Sequence, residues 1–93
     1  MSGHVFHPGH DELHGVTVVV STHDGRTYLG RWHERGTRGV VMHDVAIHDP
    51  AAMPAPLDAW LAKQHKFGVA ATAKLVVVQE RDVASVRPFS EEP

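Results

Sequence analysis

A run of β-branched residues followed by an Asp-Gly pair constrains this chain most. Residues 16–21 read VTVVVS, which favours a strand because the run is rich in valine and too short for a helix. Asp24 and Gly25 follow, and this pair is typical of a two-residue hairpin turn. Residues 27–33, TYLGRWH, then suit the returning strand. The sequence therefore predicts a β-hairpin over 16–33.

The turn pair also predicts how the two strands of the hairpin are aligned. If the Asp-Gly pair forms the whole loop, Val20 faces Leu29 and Val18 faces Arg31. Gly30 falls inside the returning strand, where glycine marks a sharp bend or a close approach of two backbones. A strongly bent second strand is what a very small barrel needs in order to close.

The remaining chain contains further strand patterns and one helical pattern. A looser turn over 35–39 precedes predicted strands at 40–47, 74–80 and 83–87. Between them lies an insertion at about 50–72, and a short acidic tail follows at 89–93.

Within the insertion, Leu57, Trp60 and Leu61 share one helical face at positions i, i+3 and i+4. Pro56 suits the start of this helix and Gly68 suits its end.

Composition narrows the function classes. The chain has 93 residues and 42% hydrophobic residues, which predicts a single domain over 1–93. Nine Lys and Arg against eleven Asp and Glu give a net charge of −2, so the overall charge does not indicate nucleic-acid binding. Cysteine is absent, and no apolar run reaches the length of a membrane span. The expectation is a cytoplasmic protein without a membrane partner.

No nucleophile elbow, phosphate-binding loop or zinc-protease motif occurs, so the chain is predicted not to be an enzyme and to need no cofactor.

Two segments of the chain form a recognisable pair of motifs. The first contains Asp24, Gly25, Arg26 and Gly30, and then Val40, Val41, Met42 and Asp44. The second is residues 79–86, QERDVASV. In order and spacing they resemble the two motifs of the Sm/Sm-like (LSm) family of small β-barrels, with Asp82 in the place of the usual glycine. The likeness covers about half of the chain.

This resemblance implies a mainly β fold. It consists of a five-stranded, strongly bent antiparallel barrel with a short N-terminal helix around His10–His14. The helical insertion between strands 3 and 4, predicted from the sequence pattern, is where the chain departs most from a minimal member of the family. It also implies a cyclic homo-oligomeric ring joined through the edge strands, which have exposed ladder edges until they pair. The residues expected at such contacts are Val76, Val78 and Val83.

The resemblance further implies a platform for single-stranded RNA. Arg81 matches the family's base-capping arginine, and Glu34 stands near the position of its loop aspartate. Gly39 stands where the family has an RNA-contacting asparagine, so that contact is missing. Phosphate contacts are expected from Arg26, Arg35, Arg38 and Arg81.

The sequence leaves the roles of three aromatic residues open. Trp32 and Tyr28 either stack on bases or pack inside the protein. Trp60 either packs against the barrel or docks a neighbouring subunit or partner protein. The second case corresponds to a structural or protein-interaction ring that has lost its nucleotide pocket.

The nine histidines are the one unusual feature of the composition. On a helix, the spacing of His4, His7, His10 and His14 would line one face and suit a shared metal ion, although Pro8 and Gly9 interrupt such a helix. In the third strand, His43 and His48 are expected on opposite faces, with Asp44 beside His48. Both groups are interpreted as ordinary polar residues, and no metal site is predicted.

Overall fold

Five antiparallel strands form one open sheet in the computed structural model, which describes residues 13–91. The strands are β1 (Thr17–Thr22), β2 (Thr27–Gly36), β3 (Gly39–His48), β4 (Ala73–Gln79) and β5 (Val83–Pro88). One helix, α1 (Leu57–Phe67), lies between β3 and β4, and short 3-10 turns cover Glu80–Asp82 and Phe89–Glu91. A mainly β fold with five antiparallel strands and one helix is thus confirmed.

The order of strands across the sheet is β4-β3-β2-β1-β5, so β4 and β5 are its two edges. Residues of the β1–β2 hairpin and of β4 line one cavity, although β3 lies between them in the sheet. The sheet must therefore be curved. It is nevertheless open, and the predicted barrel closure is not observed in the described residues.

The β1–β2 hairpin is present, but its predicted register is wrong by one position. Val20 lies opposite Tyr28, one residue earlier in β2 than a two-residue turn requires. The amide of Thr22 donates to the carbonyl of Arg26 at 2.9 Å, which leaves a three-residue loop between them. Gly25, at a φ of 93°, supplies the left-handed residue that such a loop needs, whereas a two-residue type I′ turn needs positive φ at both positions.

Two β-bulges interrupt the pairing of β2 with β3. Asp44 and Val45 together face Gly30, and Asp44 has a positive φ of 53°. A Cβ atom on Gly30 would lie 2.9 Å from the carbonyl oxygen of His43, so the predicted close backbone approach at this glycine is confirmed. In the second bulge, His33 is the extra residue of β2. Bulges increase local twist and bend the strand that carries them.

The first bulge makes the predicted faces of two histidines wrong. His43 pairs with Arg31 and His48 pairs with Thr27, and these partners lie on the same side of β2. Strict alternation over five positions would place the two side chains on opposite faces of β3. The extra residue at the bulge places them on the same face instead. Asp44, expected beside His48, forms an ion pair with Arg31 instead.

Side chains are buried on both faces of the sheet. Inside the curve, one cluster collects residues from β1 to β4, and half-buried valines of β5 pack against it. Between the sheet and α1 lies a second cluster. Val18 and Val20 belong to the first cluster and Val19 to the second, which explains the uninterrupted valines of β1. The first contains Val18, Val20, Trp32, Val40, Met42, Val45 and Val78, and the second contains Val19, Leu29, Ala46, Trp60 and Leu61.

The helix follows its predicted pattern. Trp60, Leu61 and Gln64 are buried on the side that faces the sheet, and Leu57 packs beside them. The helix ends at Gly68, whose φ is 89° and whose amide donates to the carbonyl of Gln64 at 2.9 Å.

The two ends of the described chain pack on the rest of the protein. Phe89, the first residue of the tail expected at 89–93, packs against the second cluster and stacks on His65 with ring centroids 3.8 Å apart. Most of the N-terminal helix expected around His10–His14 lies outside the described residues. Leu13–Val16 form a turn, closed by a bond of 2.7 Å from the amide of Val16 to the carbonyl of Leu13.

Candidate functional site

The turn between β2 and β3 meets the corner between β4 and β5 and borders an open groove. Gly39 pairs with Gln79, and the amide of Glu80 donates to the carbonyl of Arg38 at 3.3 Å. The groove has a volume of about 630 Å³ and is lined by Thr37, Arg38, Val77, Gln79, Glu80 and Arg81. Arg38 and Arg81, which were predicted from separate parts of the sequence, therefore border the same space.

Gly39 allows these two segments to approach each other. Its φ is 132°, and a Cβ atom there would lie 1.9 Å from the carbonyl oxygen of Val78 and 2.7 Å from the amide nitrogen of Glu80. The position that the resemblance compares with an asparagine therefore has no room for a side chain.

Arg35 is engaged within the chain. Its Nε donates to Oε1 of Glu80 at 3.0 Å, and its Nη2 donates to Oε2 at 2.5 Å. This hydrogen-bonded pair lowers the pKa of Glu80 below its ordinary value and raises that of Arg35. Arg35 thus balances the one carboxylate of the groove lining, while Glu34, its neighbour on β2, is exposed opposite Val41.

Arg26 is also held by neighbouring residues. Its pKa is raised first by a side-chain hydrogen bond with Tyr28 and then by the charges of Asp24 and Asp49. The guanidinium lies 3.8 Å from Asp24 and 3.5 Å from Asp49.

Asp24 itself is fixed by a hydrogen bond from the Thr22 hydroxyl, which is the main cause of its lowered pKa, and by the Arg26 amide at 3.2 Å. Arg26 therefore stabilises the hairpin loop.

A second cavity, of about 280 Å³, lies beside the groove. Arg81, Val77 and Gln79 line both, so Arg81 stands between them. Arg26 lines the second cavity together with Asp24 and Asp82, which balance its charge and that of Arg81 there. Of the four predicted arginines, the structure brings Arg38 and Arg81 to the groove and ties Arg26 and Arg35 to carboxylates.

The two aromatic side chains considered for base stacking pack inside the protein. Trp32 is 4% exposed within the first core cluster, and Tyr28 is half-buried against the same cluster. These positions favour the packing alternative over the stacking one.

Residues predicted for subunit contacts lie on β4, β5 and α1. Val78 is buried in the first cluster, and half-buried Val76 and Val83 pack against it. Sequence reasoning missed Leu75 and Val77, which point to the other face of β4 and are 58% and 48% exposed. Alternation along the strand separates these two sets, once it is known which face the core occupies.

Trp60 also serves its own chain. Its side chain is 9% exposed, and its ring centroid lies 5.4 Å from that of buried His48. Nε2 of His48 lies 2.7 Å from the carbonyl oxygen of Ala55, which ties the start of the insertion to β3. Trp60 therefore packs against the sheet, as the first of its two alternatives expects.

His14, His33 and His43 come together on the surface, a grouping that sequence reasoning missed. Among residues 13–91, however, no group of three or more His, Asp or Glu side chains is arranged to hold a metal ion. His4, His7 and His10 lie outside the described residues. In the same part of the chain, no helix is long and apolar enough to cross a membrane.

No family model matches the chain, and no curated protein is significantly similar to it in sequence.

Proposed function

We propose that this chain is a non-catalytic protein of the Sm-like type that forms a cyclic homo-oligomer and binds single-stranded RNA. One observation carries the RNA part: Arg38 and Arg81, from different segments, border one open groove. Guanidinium groups suit phosphate because their planar donors match its oxygens. A ring would repeat the arginine pair by symmetry and concentrate positive charge despite the net charge of −2 per chain.

The ring part of the proposal is supported by the edges of the sheet. β4 and β5 each leave one side of their backbone unpaired by the sheet, and β4 also exposes Leu75 and Val77. Pairing β4 of one copy with β5 of the next would satisfy these groups and remove an aggregation hazard. A cytoplasmic location belongs to this proposal and rests on the sequence alone.

RNA binding is tested by fluorescence anisotropy of labelled oligo-U and oligo-A at low and at physiological salt. Arg38→Ala and Arg81→Ala should weaken binding and lower the slope of log K against log salt by about 0.7 for each lost phosphate contact. Lys63→Ala, an exposed change on α1, is the matched control and should leave both quantities unchanged. Unaltered affinity in both arginine variants would remove the groove as the binding site.

A structural or protein-interaction ring is the second candidate. Gly39 has no room for a base-reading side chain, Trp32 is buried, and Arg26 and Arg35 are already paired with carboxylates. Complete absence of oligonucleotide binding at low salt would favour this candidate.

Assembly is tested separately by light scattering coupled to size-exclusion chromatography. Leu75→Lys places a charge on the exposed face of the β4 edge and should shift the protein from a ring to a monomer. Phe67→Lys, on a residue 75% exposed at the end of α1, should leave the assembly intact. A monomeric wild-type protein would contradict the ring in both candidate functions.

A further inference from the structure

Three histidines from three different segments form a chain of ring contacts, named here the histidine cluster. His14 belongs to the turn before β1, His33 to β2 and His43 to β3. The rings of His14 and His33 have centroids 5.3 Å apart, and those of His33 and His43 are 4.9 Å apart and edge to face. The cluster lines a cavity of about 340 Å³ that neither candidate function uses.

The cluster adjoins the backbone contacts that attach the turn Leu13–Val16 to β2. The amide of Gly15 donates to the carbonyl of Trp32, and the amide of Trp32 donates to the carbonyl of Val16, both at 2.9 Å. His14 is exposed on this turn and packs on His33, so the ring contact lies beside these two hydrogen bonds.

Charged residues occur in each strand that neighbours the cluster. Arg31 of β2 lines the same cavity, and Asp44 of β3 forms an ion pair with it. Glu34 follows His33 in β2. On β4, His43 pairs with the apolar Leu75, which follows Lys74. Protonation of the cluster would thus add positive charge beside a cation whose own carboxylate partner is already engaged.

We propose that the histidine cluster is a proton-sensitive latch. Its neutral rings help the backbone hydrogen bonds and the core packing of Leu13 to hold the turn Leu13–Val16 against β2, and acidification weakens that attachment. Imidazole is the side chain whose charge ordinarily changes between pH 5 and pH 8. Neutral rings attract each other through their faces and edges, whereas imidazolium rings repel. Lower pH therefore opens the latch and higher pH closes it.

The size of the effect follows from the ring spacing. Two unit charges about 5 Å apart in water weaken a ring contact roughly fourfold. Only the contact between His14 and His33 joins the turn to β2, because His33 and His43 both belong to the sheet. The attachment of the turn should therefore weaken roughly fourfold.

Amide hydrogen exchange tests the latch in the full chain. Protection of the Gly15 and Trp32 amides, corrected for the intrinsic effect of pH, should fall roughly fourfold between about pH 7.5 and about pH 5.5. The Thr22 amide, bonded to Arg26 at the loop end of the hairpin, is the internal control and should keep its protection. Equal protection of Gly15 and Trp32 at both pH values would overturn the proposal.

Variants assign the effect to the cluster. His33→Gln removes both ring contacts and should abolish the pH dependence, whereas His23→Gln, a loop residue between β1 and β2, should retain it in full. If His33→Gln fails to fold, His14→Gln replaces it, since His14 makes the ring contact that joins the turn to β2 and its loss should likewise abolish the pH dependence. A roughly fourfold change that persists in these variants would show that another group is responsible.

Discussion

Gly39→Ala tests whether the groove depends on a glycine that brings two segments into contact. The new Cβ atom would lie 1.9 Å from the carbonyl oxygen of Val78, so the β2–β3 turn has to move away from the β4–β5 corner. A φ of 132° adds strain of about 1–3 kcal/mol for a residue with a side chain. Loss of the hydrogen bond from Glu80 to Arg38 adds about 1 kcal/mol. We expect the free energy of unfolding to fall by about 2–4 kcal/mol.

Urea unfolding followed by tryptophan fluorescence measures this change. Gly36→Ala is the matched control, because Gly36 pairs with Gly39 across the same turn, has nothing within 4 Å of a built Cβ and has no positive φ. It should alter the free energy of unfolding by less than about 1 kcal/mol. Equal stabilities of the two variants would refute the argument that close approach at Gly39 holds the turn against the corner.

The remaining predictions concern the helix and one ion pair. Trp60→Ala should lower the free energy of unfolding by about 3–4 kcal/mol, since it leaves a cavity in the second core cluster. Phe67→Ala, at a 75% exposed position, should change it by less than about 0.5 kcal/mol, and urea unfolding compares the two variants. Because Arg35 holds the pKa of Glu80 below its ordinary value of 4.5, the pair stabilises the fold above that value, and the contribution is lost as pH falls through the lowered pKa. Unfolding midpoints at about pH 6 and about pH 3 should therefore differ less in Glu80→Gln than in the wild type or in the control Glu34→Gln, and parallel losses in all three would contradict this role.

Local signals in the sequence were sufficient to predict the strands and the helix. The valine run, the Gly and Pro positions and the spacing of Trp60 predicted the five strands and the helix, because each depends on a few neighbouring residues. Alignment between strands was harder. The Asp-Gly pair fits loops of two and of three residues, and the difference shifts every partner across the hairpin.

Bulges were the second obstacle, since an extra residue in one strand reverses the alternation of faces beyond it. Aspartate tolerates the positive φ of Asp44 better than most residues, but this tolerance alone does not locate a bulge in the sequence. The bulge nevertheless decides that His43 and His48 lie on the same side of β3.

The candidate site depends on long-range geometry in the same way. Arg38 and Arg81 were predicted individually from the resemblance, and their shared groove depends on how β3 pairs with β4. The partner of Arg35 could not be predicted, because Glu80 lies 45 residues away in the chain. Exposed arginines and paired arginines look alike in a sequence.

The pairing of β1 with β5 has a consequence for synthesis. One edge of β1 stays unpaired until β5 is synthesised, and three strands and a helix are translated between the two. Until residues 83–88 leave the ribosome, β1 presents its valines beside an unpaired backbone, which is the kind of surface that chaperones bind and that aggregates when left exposed. A chain truncated before Val83 would keep that edge permanently, so premature termination of this protein should produce insoluble fragments rather than a smaller folded domain.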